Sequence, residues 1–417
     1  MRLADRSQVA MHFCCIDELV SADHQVRTIW AAVCQMDLSA FIAPIASREF
    51  TEGRPANDVR VMVGLWLWAA VNNIPRGRQL ERCCERDLTF KWMCGGLSMN
   101  YHTLNDFRVG HQKALDELFA ATLGRPVHAG LVGVTRISQD GLRVRASAGT
   151  GGFRRKPTLE KCLAEAGAHL ADLKKLRDSP ENEGVEDQDN AFEIALATDR
   201  LDRVKAALAQ MPLVEAPKGK RHSKPESAAR VSTAVPELKA GLMKMPDGGY
   251  NPAYNVQLAS DPDSRAVVGV TVSNSGADAP LSEPMRQQVQ ERTDKKVSMH
   301  MIDGGYVNLE AIDTAAADNV TLMMPVPKPN KNAKEQDRYA RRQDDSDAVA
   351  EWRARMNSEL AKEIYKDRAA TSETVNADLR TFRGMSPFSV RGIAKTTCVA
   401  LWSALAYNIL HFSTALS

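Results

Sequence analysis

"SMHMIDGGYVN", residues 298–308, is an apolar run that halts at Asp303 and is followed by two glycines and a tyrosine. A short apolar run bounded by turn residues reads as a buried strand. An aspartate at its tip is well placed for function, because ligands in open α/β sheets gather beyond strand ends. Gly304 and Gly305 remove bulk beside the carboxylate, so a phosphate backbone or a hydrated metal can approach it closely. Around this stretch strand and helix alternate. A helix from about Pro280 to Arg292 precedes it; a helix starting near Asn308 and the strand "VTLMMPV" (320–326) follow.

Upstream, "VGVTRISQDGLRVRASA" (132–148) alternates in the manner of strands. It carries a second carboxylate of the same kind, Asp140, expected at a strand end before Gly141. "AYNVQLAS" (253–260) and "RAVVGVTVS" (265–273), joined by "DPDS", have the signature of a hairpin. Hairpin strands followed by βαβ units imply an α/β fold, a mixed sheet flanked by helices.

Residues 1–128 differ, being helical throughout and expected to form an all-α N-terminal domain. "MNYHTLNDFRVGHQKALDELFAATLG" (99–124) is expected to run as one amphipathic helix capped by Asn100 or Thr103. With the glycine turn before it, this segment has the form of a helix-turn-helix. Asn105, Arg108 and His111 are its candidate DNA-recognition residues. Residues 129–417 are expected to form the sheet domain, interrupted at about 150–250 by an insertion. Within it "TLEKCLAEAGAHLADLKKLRD" (158–178) and "NAFEIALATDRLDRVKAALAQM" (190–211) read as a helical hairpin, followed by a basic, Pro- and Ser-rich loop.

Composition narrows the class. A chain of 417 residues with 44% hydrophobic and 25% charged residues suits a folded protein of two or three units. "VMVGLWLWAAV" (61–71) falls short of the roughly 18–20 apolar residues of a membrane span, and no secretory signal is evident; the expected location is the cytosol. Eight cysteines without a CxxC make a poor disulfide framework. Cys83, Cys84, Cys94 and His102 fit no usual zinc spacing. Net charge is only +2, so a polyanionic partner must be met by local patches: Arg143 and Arg145, "FRRK" (153–156), "KGKRHSK" (218–224), and Arg391 with Lys395, read as one helix face.

A third carboxylate, Glu373, stands in "EIYKDRAATSETVNADLRTFRG" (363–384) among Tyr365, Arg368, Arg380 and Arg383, cations suited to phosphates. Taken together these stretches resemble the DDE transposases of bacterial insertion sequences, in the branch with an all-helical N-terminal domain. "TEGRPANDVRVMVGLWLWAAVNNIPRGRQLERCCERDLTFKWMCGG" (51–96) with "HTLNDFR" (102–108) is similar to that domain. "SQDGLRVRASAG" (138–149) resembles the first-aspartate segment, and "MKMPDGGYNPAYNVQLASD" (243–261) the strand that re-enters after the insertion. "IDGGY" (302–306) resembles the second-aspartate motif, and "YKDRAATSETVNADLR" (365–380) the tyrosine, arginine, glutamate signature. Two departures stand out: the related signature has one residue fewer before the glutamate and a lysine where Arg380 stands, and the stretch after "PVPKPNKNAKEQD" (325–337) is short.

The resemblance implies an RNase H-like catalytic domain in which Asp140, Asp303 and Glu373 hold two Mg²⁺ (or Mn²⁺) ions. Asp140 would end the first strand and Asp303 the fourth. Tyr365, Arg368 and Arg380 would position phosphate, and Arg391 and Lys395 are candidates for the same work. The implied partner is double-stranded DNA, as terminal inverted repeats and target, with a homodimer forming on it in the nucleoid. Two other readings share these residues: a regulatory or inactive relic that binds without cutting, and a metal nuclease without strand transfer.

Overall fold

The computed structural model of the chain describes residues 14–45, 56–178, 188–215, 230–233, 240–328, 337–385 and 387–412. Its first part is helical: α1 (Gln25–Cys34), α2 (Ser39–Ile42), α3 (Val59–Val71), α4 (Gly77–Arg86), α5 (Leu88–Cys94), α6 (Tyr101–Gly110) and α7 (Gln112–His128). Side-chain caps set several boundaries. Asp87 accepts the N–H groups of Thr89 and Phe90 and so separates α4 from α5. Asn100 caps α6 through the His102 N–H at 2.8 Å. The amphipathic run expected over 99–124 is therefore two helices, because the backbone at His111 leaves the helical region and starts α7.

The second part opens with β1 (Arg136–Arg145), β2 (Phe153–Arg154), α8 (Lys156–Arg177), α9 (Gln188–Glu215) and β3 (Val231–Ser232). It continues with β4 (Gly241–Lys244), β5 (Tyr250–Ser260), β6 (Val267–Ser273), α10 (Ser282–Thr293), β7 (Met299–Met301), α11 (Leu309–Ala317) and β8 (Thr321–Met323). The last elements are α12 (Asp347–Asn357), α13 (Glu359–Phe382) and α14 (Ile393–His411). The main sheet runs β4-β5-β1-β7-β8, with β6 also paired to β5. β5 and β6 are antiparallel, as are β1 and β5, while β1, β7 and β8 are parallel. This is the mixed sheet expected from hairpin strands followed by βαβ units.

The hairpin α8–α9 stands outside that sheet on small cores of its own, while the two-residue ladder β2–β3 contributes Phe153 to the main cluster. Residues 241–244, placed within the insertion by the sequence, belong to the main sheet as β4. The basic run at 218–224 lies outside the described residues.

One expectation needs correcting here. Asp140 does not end a strand: β1 continues through it to Arg145, because Asp140 to Arg145 pair in register with Leu258 to Ala253 of β5. The helical and sheet parts share a core. One buried cluster includes Ile29, Trp66 and Phe119 as well as Tyr254, Val268 and Trp402. α14 makes this join, packing against α3, α6 and α7 on one side and β6 on the other. It is apolar all round for that reason. By length and composition α14 is also the one helix among the described residues that could cross a membrane, but most of it is buried inside the protein. A second cluster under β7 and β8 holds Tyr306, Ile312 and Trp352, which seats the 302–306 turn firmly.

Candidate active site

β7 pairs with β1 only at Arg136, Ile137 and Ser138. From Gln139 onward that edge of β1 is open, and the chain leaving β7 puts Asp303 beside the opening. Asp303 caps the 3-10 turn Gly304–Tyr306, its Oδ1 accepting the Gly305 N–H at 2.7 Å. On β1, Asp140 Oδ1 accepts the Gly141 N–H at 2.8 Å and lies 3.1 Å from Arg368 Nη2, while Asn376 Nδ2 donates to Oδ2 at 3.4 Å.

α13 delivers those two partners. Tyr365, Arg368, Ser372 and Asn376 follow helical spacing and so share the face turned to the sheet. The Tyr365 hydroxyl donates to the Ile302 carbonyl at 3.1 Å, and the hydroxyls of Ser138 and Ser372 meet at 2.6 Å. Burial pushes the Tyr365 hydroxyl up to about 12, opposed by Arg368 and reinforced by Asp303 and Asp140. Burial likewise raises the Asp140 carboxyl above the ordinary carboxylate range; Arg368 and the Gly141 N–H pull it down, and Asp303 and Asp278 push it up.

Asp278 is a residue the sequence reading missed. It sits between β6 and α10, and its Oδ1 accepts Asn255 Nδ2 at 2.7 Å and Gln257 Nε2 at 2.9 Å. A Cβ on Gly141 would stand 2.6 Å from Gln257 Nε2 and 3.0 Å from Asp278 Oδ1; one on Gly305 would stand 3.0 Å from Asp303 Oδ1 and 3.6 Å from Asp278 Oδ2. Both glycines therefore keep open a cradle bordered by carboxylates. Nothing local distinguishes Asp278 from other loop aspartates such as Asp261 or Asp263.

The remaining sequence candidates scatter. Glu373 is exposed on α13, three residues before Asn376 and so its neighbour one turn away, with no hydrogen bond or ion pair to the aspartates. Arg380 is exposed at the end of α13, and Lys395 is exposed on α14. Arg391 precedes α14, its Nε turned to the Ser147 carbonyl at 3.0 Å, so it does not share a helix face with Lys395.

The proposed recognition helix is corrected more sharply. Arg108 is 6% exposed; its guanidinium donates to the Pro75 carbonyl at 2.7 Å and lies 4.5 Å from the Trp66 ring centre. His111 packs against the rings of Phe41 and Phe107, and burial lowers its pKa. Both are packing residues, because α6 faces α14 instead of solvent: the Arg108 carbonyl accepts Trp402 Nε1 at 3.0 Å. Asn105 is exposed and closes over Gly77.

Among the described residues no three His, Cys, Asp or Glu side chains stand converged as a finished ion site. The donor set nonetheless fits a hard divalent cation. Asp140, Asp278 and Asp303 outnumber the cations beside them, Arg368 and the more distant Arg143. Asp278 and Asp303 offer oxygen ligands around the space that Gly305 leaves free, and Asp140 is near enough to feel both charges, a donor set that suits Mg²⁺ or Mn²⁺.

Two family models match the chain: a transposase domain (DUF772) over residues 14–110 and a transposase DDE domain over residues 327–412. The first covers α1 to α6; the second covers α12, α13 and α14. No curated protein and no solved structure matches the chain significantly.

Proposed function

From the two transposase family models that match it, we propose that this chain is a DDE transposase of an insertion sequence, cutting the ends of such an element and joining them to target DNA. Asp140, Asp303 and Glu373 would be the metal-holding carboxylates, with Mg²⁺ or Mn²⁺ as the ions. The observation that carries this reading is the placing of Asp140 and Asp303 at one opening beyond β7, with α13 laid across it. The strand order, three antiparallel strands followed by two parallel ones, supports taking the sheet as RNase H-like.

Bound divalent ions would supply Lewis-acid activation of the attacking oxygen and stabilisation of the leaving one in an in-line displacement at phosphorus. The chain's own part is positioning. Tyr365 ties α13 to the strand that leads into Asp303. Asn376 orients Asp140, and Arg368, now on Asp140, is near enough to meet a scissile phosphate. Water would be the nucleophile for cutting and the freed 3′-hydroxyl for joining, so no side chain need attack. Glu373, one turn before Asn376, would complete the site when DNA lies along α13. The exposed Arg380 and Lys395 suit the phosphate backbone. Two element ends call for two copies of the chain.

Asp303→Ala is expected to reduce Mg²⁺-dependent cleavage of element-end DNA to background while end binding persists; cleavage at the native rate would refute the site. Binding should weaken with salt, with a log–log slope of about 0.9 per phosphate neutralised, and a flat response would remove the cationic residues from the reading.

A further inference from the structure

Asp278 is built into the site more thoroughly than a loop carboxylate need be. The two side chains that donate to its Oδ1, Asn255 and Gln257, are fully buried on β5. Both are neutral amides, which orient a carboxylate without cancelling its charge. Its nearest cation, Arg143, is 4.0 Å from Oδ2 and already bonded to the carbonyls of Lys244 and Gly276. Gln257 is itself fixed, its Oε1 accepting Gln139 Nε2 at 2.6 Å and the Tyr306 hydroxyl. Tyr306 belongs to the turn that Asp303 caps, so a buried chain of hydrogen bonds ties Asp278 to Asp303. The free oxygen of Asp278, Oδ2, and Asp303 Oδ1, which also accepts the Gly305 N–H, both lie within 3.6 Å of the point that a Gly305 Cβ would fill. In Asp278 one oxygen is anchored by neutral donors and the other faces the gap, the pattern by which supporting hydrogen bonds present a ligating carboxylate.

We propose that Asp278 is a further metal-holding carboxylate of this site, binding a divalent cation jointly with Asp303 before any DNA arrives. The proposal rests on the reading of Asp303 as a metal-holding residue and extends it. It gives the DNA-free protein an ion site that does not wait for Glu373.

A purely structural Asp278 makes a different prediction, because Asp278→Asn keeps the oxygen that accepts the two amides and loses only the charge. The test titrates the full chain with Mn²⁺ alone, without DNA, and reads free Mn²⁺ by electron paramagnetic resonance. Asp278→Asn should weaken Mn²⁺ binding by about 10- to 100-fold, the scale on which supporting and ligating groups act. Asp247→Asn, an exposed carboxylate paired with Arg145, should change it by less than about twofold, since solvent screens exposed charges. Gly305→Ala is the second variant: it alters no carboxylate yet fills the gap, and it too should weaken binding.

Native-like Mn²⁺ affinity in Asp278→Asn, or in Gly305→Ala should the first fail to fold, overturns the proposal. A native chain that takes up no Mn²⁺ without DNA also overturns it. Neither outcome touches the cleavage test of Asp303→Ala, whose failure would instead sink the reading beneath.

Discussion

Asp140 is held where its charge is poorly accommodated. Burial raises its carboxyl, Arg368 and the Gly141 N–H lower it, and Asp303 and Asp278 raise it again, with a net upward shift. The folded chain then holds a proton more readily than the unfolded one. Ionised Asp140 therefore costs stability, and the cost grows as pH rises from the unfolded value of about 4 through the folded one. Asp140→Asn, which mimics the neutral acid, should melt about 1–3 °C higher than native at pH 7. That gain should vanish near pH 3.5, and thermal melts at both values check it. A lower melting point at pH 7 would mean that the Arg368 ion pair outweighs burial. Cation binding needs the ionised form, so cleavage should fail on the acid side at a higher pH than an unshifted aspartate would give. Asp303 stood out in the sequence because an apolar strand pattern ending in Asp-Gly is a local signal; the same signal singled out Asp140, although β1 runs on through it. Asp278 did not stand out, since its partners on β5 and in the 303–306 turn are set by tertiary contacts.

Among the elements, α6 and α13 show how far periodicity reaches. Helical spacing places Tyr365, Arg368, Ser372 and Asn376 on one face, and that face does meet β1. The same kind of pattern put Asn105, Arg108 and His111 on one side of α6, but α14 covers much of that side. Spacing tells which residues share a face, never what lies against it. Arg108→Ala removes a buried guanidinium bonded to Pro75 and stacked on Trp66, and should cost about 2–4 kcal/mol in denaturant unfolding. The folded variant should keep the native salt slope of DNA binding. A slope reduced by about one, the mark of a lost phosphate contact, would restore Arg108 to the DNA interface.

For the whole molecule, α14 is the consequential element, since one apolar cluster passes from α1 and α3 through α14 to β6. Trp402→Ala, at the centre of that helix and 2% exposed, should cost about 3–5 kcal/mol. Because the core is shared, calorimetry should show the transition of the helical part and that of the sheet fall together. Two transitions, of which only one moves, would mean separate cores. From the sequence by itself came the α/β class, the helical first part, the 261–264 hairpin turn, the two glycine-flanked aspartates and the likeness to transposases. Those features depend on periodicity and turn chemistry, which act over a few residues. Only the tertiary structure decided that Asp140 lies within a strand, that Arg108 is buried, that Asp278 faces the same opening as Asp303, and that the two halves share a core. Each of these depends on which distant surface comes to rest against a given side chain, and no stretch of chain carries that information alone.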